Sequence, residues 1–316
     1  MGQLLCTKAD GADTSRTSGN EEDDQNDVQQ VDDFRYLAVG DCYTIGYGVT
    51  TIKERWPNIL ATKLMTKSLK TKQTNKKYKN KTSHNNRHNV IRSIQTTIIA
   101  RNHYTTNDLL HCIQHEKCNM LELQKPYGLL SICIGYNNQY SHGISVNSLG
   151  VYEKELTQII QYCIKLVANN DPRRIFILSI PDYSYTPFVT TTTCTNNNNT
   201  NDAHQERQRR QEQEQRRKTI SQEIDRYNSC CERICRKFHI QYIDITKLTR
   251  TKRCSKLVTS PPSPTPTTNG NGGGGGNNGS GSGAGGFYPS GEQYKLWVNS
   301  FYKKIHPMVV KQEATT

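Results

Sequence analysis

Residues 34–41 read FRYLAVGD, a short apolar run that ends abruptly at Gly40 and Asp41. A run of this length that stops at Gly and Asp is typical of a buried central strand whose end leads into a loop. Residues 56–65, WPNILATKLM, follow with apolar side chains at helical spacing and with Pro57 in the first turn. The sequence therefore predicts a strand, a loop and a helix at the start of the folded part.

The same alternation continues along the chain. Short apolar or β-branched runs predict further strands at 90–100, 128–135, 174–180 and 239–245. Apolar residues at helical spacing predict helices that begin at Asp108 and cover 152–167, 220–238 and 291–305. Apolar strands that alternate with helices indicate a parallel sheet covered by helices on both sides, with functional residues in the loops at the strands' carboxyl ends.

The composition predicts one domain interrupted by polar insertions. Only 33% of the 316 residues are hydrophobic, against a usual share of about 45–50% that also counts Gly. The polar excess is concentrated in residues 1–33 and in insertions at about 68–89, 190–217 and 255–286. About 200 residues of ordinary composition remain, enough for one buried core. We predict a disordered acidic tail at 1–33, a domain at 34–306 and a short tail at 307–316.

The N-terminus and the cysteines bear on location. No run reaches the about 20 apolar residues of a membrane span, which excludes an integral membrane protein. With no signal-peptide pattern and eleven scattered cysteines, the sequence predicts reduced thiols and a cytoplasmic protein. Gly2 and Cys6 are candidate acylation sites, although the myristoylation pattern prefers Ser or Thr at the sixth position. An unmodified tail and a lipidated tail that contacts a membrane are both hypotheses.

The net charge of +13 is unevenly distributed. Residues 63–87 carry Lys and Arg and no carboxylate, so this basic insertion could neutralise phosphates of nucleic acid or an anionic membrane. Its one aromatic residue is Tyr78, which is too few for a base-stacking surface. We expect a solvated, Asn-rich insertion and no nucleic-acid partner.

Four segments combine polar and glycine residues at three strand ends and before the last helix. They read GDCYTIGYG at 40–48, ARNHYTTNDLL at 100–110, IGYNNQY at 134–140 and GGFYPSG at 285–291. In this order they resemble the blocks of the SGNH (GDSL) hydrolase family: GDS-x-T-x-G, a glycine ahead of TT-x-x-LL, G-x-N-N and D-x-x-H-P-S-G. Intervening segments resemble a bacterial-type esterase branch, including DPRR at 171–174, SIPDY at 179–183 and IDRYN at 224–228.

The resemblance covers about residues 34–306 outside the insertions. It implies a three-layer α/β/α sandwich with a five-stranded parallel, flavodoxin-like sheet. It also implies hydrolysis of carboxylic (acyl) esters by a Ser nucleophile, a His base and an orienting Asp. An oxyanion hole would use the nucleophile's N–H, the block-two glycine N–H and the block-three Asn side chain. The expected partner is a small-molecule ester or acyl ligand, and no cofactor is implied.

This chain departs from the family pattern at most catalytic positions. Cys42 stands at the nucleophile position, Gly285 at the Asp position and Tyr288 at the His position. His103 replaces the block-two glycine, so the oxyanion-hole positions are Cys42, His103 and Asn137, of which only the last keeps an expected side chain. Since triad members act as a unit, we expect hydrolysis slower by several orders of magnitude than in an intact relative.

Three functional hypotheses follow. The first is an esterase-fold protein that binds an acyl or sugar ester without efficient turnover. The second is an active esterase or acyltransferase in which Cys42 acts with His103 and Asn137, provided that a helix N-terminus lowers the pKa of Cys42. The third is a non-catalytic adaptor that reaches membranes through Gly2, Cys6 and the basic insertion.

His111, His115 and Cys118 form a candidate metal site, because they share one face if the segment is a regular helix. Nothing in the sequence offers a fourth ligand at a recognised spacing. We expect a histidine-rich, exposed helix end and no metal.

Overall fold

The central feature of the computed structural model is a sheet of five parallel strands. The strands are β1 (Phe34–Gly40), β2 (Ile94–Ala100), β3 (Leu129–Cys133), β4 (Ile175–Leu178) and β5 (Gln241–Ile243). They lie in the order β2-β1-β3-β4-β5, which is the flavodoxin-like order. This confirms the predicted fold class.

The structure describes residues 34–65, 93–142, 146–191, 203–259 and 288–310. The predicted N-terminal tail, with Gly2 and Cys6, lies outside these residues, as do Gly285 and most of the basic insertion. In the described ranges, no helix is both long enough and apolar enough to cross a membrane.

Helices surround the sheet and complete three layers. They are α1 (Cys42–Ile45), α2 (56–65), α3 (Thr106–His111), α4 (Cys118–Gln124), α5 (Tyr136–His142), α6 (Val146–Leu166), α7 (Pro187–Thr191), α8 (Ala203–Lys237), α9 (Thr246–Thr249) and α10 (Gly291–Val310). A π-helical segment, Cys112–Glu116, joins α3 to α4, and a 3₁₀ turn, Tyr183–Tyr185, follows β4. Two short antiparallel strands, β6 (Val258–Thr259) and β7 (Tyr288–Pro289), lie outside the main sheet.

The core is built on fully buried aromatic and aliphatic side chains of the sheet and its helices. Trp56 of α2 and Phe301 of α10 contact each other and Phe176 of β4, with ring centroids 6.0–6.3 Å apart. Tyr152 of α6 and Tyr227 of α8 meet at 4.9 Å. These contacts pack α2 and α10 against the sheet and α6 against α8. The packed helices and sheet support the loops at the carboxyl ends of the strands.

Four helix boundaries differ from the sequence prediction, and the first is that of α6, which begins at Val146, six residues before the predicted start at 152. Helix α3 begins at Thr106, two residues earlier than expected, because the Thr105 side chain and the Asp108 carboxylate form a capping box. Helix α8 begins at Ala203, since the Gln/Arg/Glu-rich segment before 220 is helical and carries ion pairs such as Arg210–Glu206. Helix α10 extends five residues beyond 305, where buried Val309 anchors its last turn.

An ion-pair network ties α8 and α9 to the loop after β4. The Arg250 Nε donates to Asp182 Oδ2 at 2.7 Å, and Arg250 Nη2 donates to Asp225 Oδ1 at 2.7 Å. The Asp182 side chain is fully buried and also accepts hydrogen bonds from the Ser184 N–H and the Ser221 hydroxyl. Because this carboxylate is out of water, its charge depends on these partners.

Candidate active site

The first strand ends in a tight turn that presents Asp41 and Cys42 at the edge of the sheet. Gly40 is paired with Cys133 of β3, and a Cβ on Gly40 would lie 2.1 Å from the Cys133 carbonyl oxygen. The same oxygen accepts hydrogen bonds from the Asp41 N–H at 3.2 Å and from the Thr44 hydroxyl at 3.3 Å. Only glycine fits at position 40. The close approach of β1 to Cys133 that it allows sets the position of Asp41 and Cys42.

Cys42 is the first residue of α1, and its side chain is fully buried. Its Sγ lies 3.9 Å from Asp41 Oδ1. Burial, with smaller contributions from Asp41 and Cys133, raises the pKa of the Cys42 thiol well above its ordinary value. The second hypothesis needs a helix N-terminus that lowers the pKa of Cys42, but this pKa is raised. Helix α1 has only four residues, and the effect of desolvation outweighs that of its dipole.

Asp41 is also buried, at 1% exposure. Its Oδ1 accepts a hydrogen bond from the Tyr43 N–H at 3.0 Å. Burial raises the pKa of the Asp41 carboxyl from 3.8 to about 7, and nearby backbone N–H groups offset part of this effect. The carboxyl beside the thiol is therefore a weak acid that titrates near neutral pH.

His103 lies in the loop between β2 and α3, with its side chain exposed. Its backbone φ is +67°, in the left-handed region that favours glycine. The backbone thus keeps a conformation suited to the family's glycine. Within the described residues, no hydrogen bond or ring contact joins this imidazole to Cys42.

Asn137 is buried in the first turn of α5. Its Nδ2 donates to the backbone carbonyl of Tyr104 at 2.8 Å, and the neighbouring Asn138 side chain hydrogen-bonds the Thr106 N–H and hydroxyl at 3.0 and 2.7 Å. The two asparagines hold the block-two loop against the end of β3. Since a side-chain amide has two N–H bonds, this hydrogen bond uses only one of those of Asn137.

Tyr288 lies in β7, paired with Thr259 of β6. Its ring packs edge-on against Tyr47 of the block-one loop at 4.8 Å, and Thr259 Oγ1 donates to the Gly48 carbonyl at 3.0 Å. Burial raises the pKa of Tyr288, as does the nearby Cys42, while a hydrogen bond from the Asn102 side chain opposes the shift. The histidine position is thus occupied by a neutral hydroxyl at the nucleophile loop.

A cluster of tyrosines at the strand ends was not predicted from the sequence. Tyr136 contacts Tyr43 at 5.1 Å, Tyr183 at 5.2 Å and Tyr140 at 5.6 Å between ring centroids. Cys42 lies close enough to raise the pKa of Tyr136, although burial is the larger cause. The available signal was a tyrosine in each strand-end segment, but only the fold shows that these rings meet around the nucleophile position.

The site can donate hydrogen bonds, and the Asp41 carboxyl, 3.9 Å from Sγ, is a proton acceptor whose pKa lies near neutral pH. Burial raises the pKa of the Cys42 thiol and of the Tyr43, Tyr136 and Tyr288 hydroxyls, so these groups are protonated at neutral pH. Among the described residues, no group of three His, Cys, Asp or Glu side chains is arranged to hold a metal ion. The rings of His111 and His115 do lie 4.9 Å apart, at the π-helical segment.

Comparison with known proteins identifies a family. The sequence profile of GDSL-like lipases and acylhydrolases matches residues 36–301. Comparison with curated protein sequences found no significant match. Similar solved structures include a member of the lipolytic G-D-S-L family from Veillonella parvula, with 11% identity over 85% of this chain and 97% of that chain and a TM-score of 0.47.

Two further structures have the same degree of likeness. A lipase/acylhydrolase from Enterococcus faecalis has 12% identity over 86% of this chain and 95% of that chain, with a TM-score of 0.47. An acetyl xylan esterase variant from Geobacillus stearothermophilus has 13% identity over 86% of this chain and 94% of that chain, with a TM-score of 0.47.

Proposed function

The chain belongs to the family of GDSL-like lipases and acylhydrolases, and we propose that it is a catalytically impaired member that binds an acyl or ester ligand. The ancestral activity is hydrolysis of carboxylic esters. At the positions of the family's serine nucleophile, histidine base and orienting aspartate, this chain has Cys42, Tyr288 and Gly285.

The burial of Cys42 is the observation that carries the proposal. A cysteine attacks a carbonyl as its thiolate. Because burial raises the pKa of this thiol well above its ordinary value, the thiolate is scarcer at neutral pH than it is for an exposed cysteine. The side chain also has no exposed surface, so a substrate carbonyl reaches Sγ only after the surrounding rings move.

The replacement of the histidine base gives a second line of support. A neutral tyrosine hydroxyl donates a hydrogen bond readily but does not accept a proton from a thiol or a water molecule. The raised pKa of Tyr288 removes its phenolate form at neutral pH. In an intact triad, the loss of one member costs roughly 10⁴–10⁶ in rate, so we expect little turnover even if Cys42 becomes accessible.

Binding without turnover is supported by the parts that the chain keeps. Asn137 retains an N–H bond for a carbonyl oxygen, and its position is fixed by the Tyr104 carbonyl. Tyr288 adds a hydroxyl donor at the same loops. Hydrogen bonds of this kind stabilise a bound carbonyl whether or not it reacts.

The competing hypothesis, an active enzyme that uses Cys42 with His103 and Asn137, gives a different result in a labelling experiment. The full-length protein is treated with a thiol-reactive acyl probe, and labelled cysteines are located by peptide mass spectrometry. Cys118 is only partly buried and is the internal control. We expect Cys118 to label in the folded protein and Cys42 to label only after denaturation. Labelling of folded Cys42 as fast as Cys118, or faster, would contradict the proposal.

A further inference from the structure

A groove of about 730 Å³ lies beside the tyrosine cluster, between α5, the turn after β4 and one face of α8. Its lining includes Gln139, Tyr140, Tyr183, Glu212, Arg216 and Glu223. We propose that this groove binds a linear polyamine, with terminal ammonium groups at Glu212 and Glu223 and a methylene chain along the two tyrosine rings. The groove shares Tyr140 and Tyr183 with the tyrosine cluster, but binding of a cation there needs no reaction at Cys42.

The two glutamates set the length of the ligand. Glu212 and Glu223 are eleven residues apart in one continuous helix, which is three turns and about 16 Å along its axis. Both line the same groove, so their carboxylates are on one face of the helix. A ligand that satisfies both needs two positive ends separated by roughly this distance.

Two tyrosine rings also line the groove. Tyr140 is 53% exposed, and its ring centroid lies 6.2 Å from that of buried Tyr183. Ring faces attract alkylammonium groups by cation–π interaction, and their apolar surface suits a methylene chain. This combination favours an organic cation over a hydrated metal ion.

The side chain of Gln139 independently indicates that the ligand of this groove donates a hydrogen bond. Its side chain is only 2% exposed, and its Nε2 donates to Glu223 Oε2 at 2.8 Å. Its Oε1 has no hydrogen-bond partner among the described residues. A buried amide oxygen is normally paired, and a primary ammonium group has the N–H bonds to pair with it.

A substitution of Arg216 tests whether the ligand is positively or negatively charged. It lines the same groove, and its side chain is exposed. A cationic ligand is repelled by this guanidinium, whereas an anionic ligand would depend on it. The substitution Arg216→Gln should therefore tighten polyamine binding about twofold to threefold at low salt.

The experiment is isothermal titration calorimetry of the full-length protein with spermine as the probe and putrescine as the short comparison. We expect Glu212→Gln and Glu223→Gln each to weaken spermine binding about threefold to fivefold, and Tyr140→Leu to weaken it to a similar extent. The matched control is Glu232→Gln, which removes a carboxylate from the same helix where it pairs with Arg236 outside the groove. It should bind spermine like the wild type. Because putrescine is too short to reach both glutamates, it should bind more weakly than spermine.

Three results would overturn the proposal. The first is no heat of binding with millimolar spermine. The second is equal spermine affinity for the wild type and the Glu212→Gln/Glu223→Gln double variant, measured with both shown folded by circular dichroism. The third is loss of binding in Arg216→Gln, which would assign the groove to an anion.

Discussion

Replacing Asp41 by asparagine changes how the stability of the domain depends on pH. In the folded protein, burial raises the pKa of this carboxyl from 3.8 to about 7. The folded state therefore binds the proton more tightly than the unfolded chain does. It follows that the contribution of Asp41 to the free energy of unfolding falls as pH rises from 3.8 to about 7 and is then constant.

The size of the effect follows from the same two values. Each pKa unit corresponds to about 1.4 kcal/mol, so ionised Asp41 lowers the free energy of unfolding by on the order of 4 kcal/mol above about pH 7. The asparagine side chain of the variant does not titrate. Its oxygen can still accept from the Tyr43 N–H, but its amino group lies where the second carboxyl oxygen was, at a cost of about 1–3 kcal/mol at every pH.

The assay is urea unfolding of the wild type and Asp41→Asn at a series of pH values from about 4 to about 8. At about pH 4, we expect the free energy of unfolding of the variant to be lower than that of the wild type. Between about pH 4 and about pH 8, the difference, variant minus wild type, should rise by roughly 4 kcal/mol. The control is Thr44→Val, which removes a buried hydroxyl from the same turn and should lower stability by about 1 kcal/mol at every pH. A difference in stability between the wild type and Asp41→Asn that does not change with pH would refute the reasoning.

Three further predictions test other parts of the structure. Arg250→Ala leaves the buried carboxylate of Asp182 without its cation and should lower the free energy of unfolding in urea by about 3 kcal/mol or more; a loss below about 1 kcal/mol would show that the network adds little. His103→Gly removes a side chain from a left-handed backbone position and should raise stability by up to about 1 kcal/mol, whereas a clear loss would mean that the imidazole makes a necessary contact. If the N-terminus is acylated at Gly2, Gly2→Ala should move the protein from the membrane pellet to the supernatant in cell fractionation, and an unchanged distribution would remove the lipidation hypothesis.

Much of the fold could be predicted because its signals are local. The run 34–41 and the later apolar runs each predict one strand, and alternation with helices predicts a parallel sheet. The order of the glycine-containing blocks places Cys42 and Asn137 at neighbouring strand ends. These inferences need only short-range patterns and the rule that loops at the carboxyl ends of parallel strands meet.

The environment of the site could not be predicted because it depends on contacts far apart in sequence. The direction of the Cys42 pKa shift arises from burial, with smaller contributions from Asp41 and from Cys133, which the fold brings to the first loop. A helix N-terminus suggested the opposite shift, since a local pattern does not report desolvation.

The central claim is tested most directly by measuring hydrolysis of short- and long-chain aryl esters by the purified wild type and by Cys42→Ala. Both proteins should be shown to be folded by circular dichroism, and an intact family member provides the positive control. We predict that the wild type and the variant give the same background rate. Turnover by the wild type that is lost in Cys42→Ala would contradict the account and would make His103 the first candidate for the base.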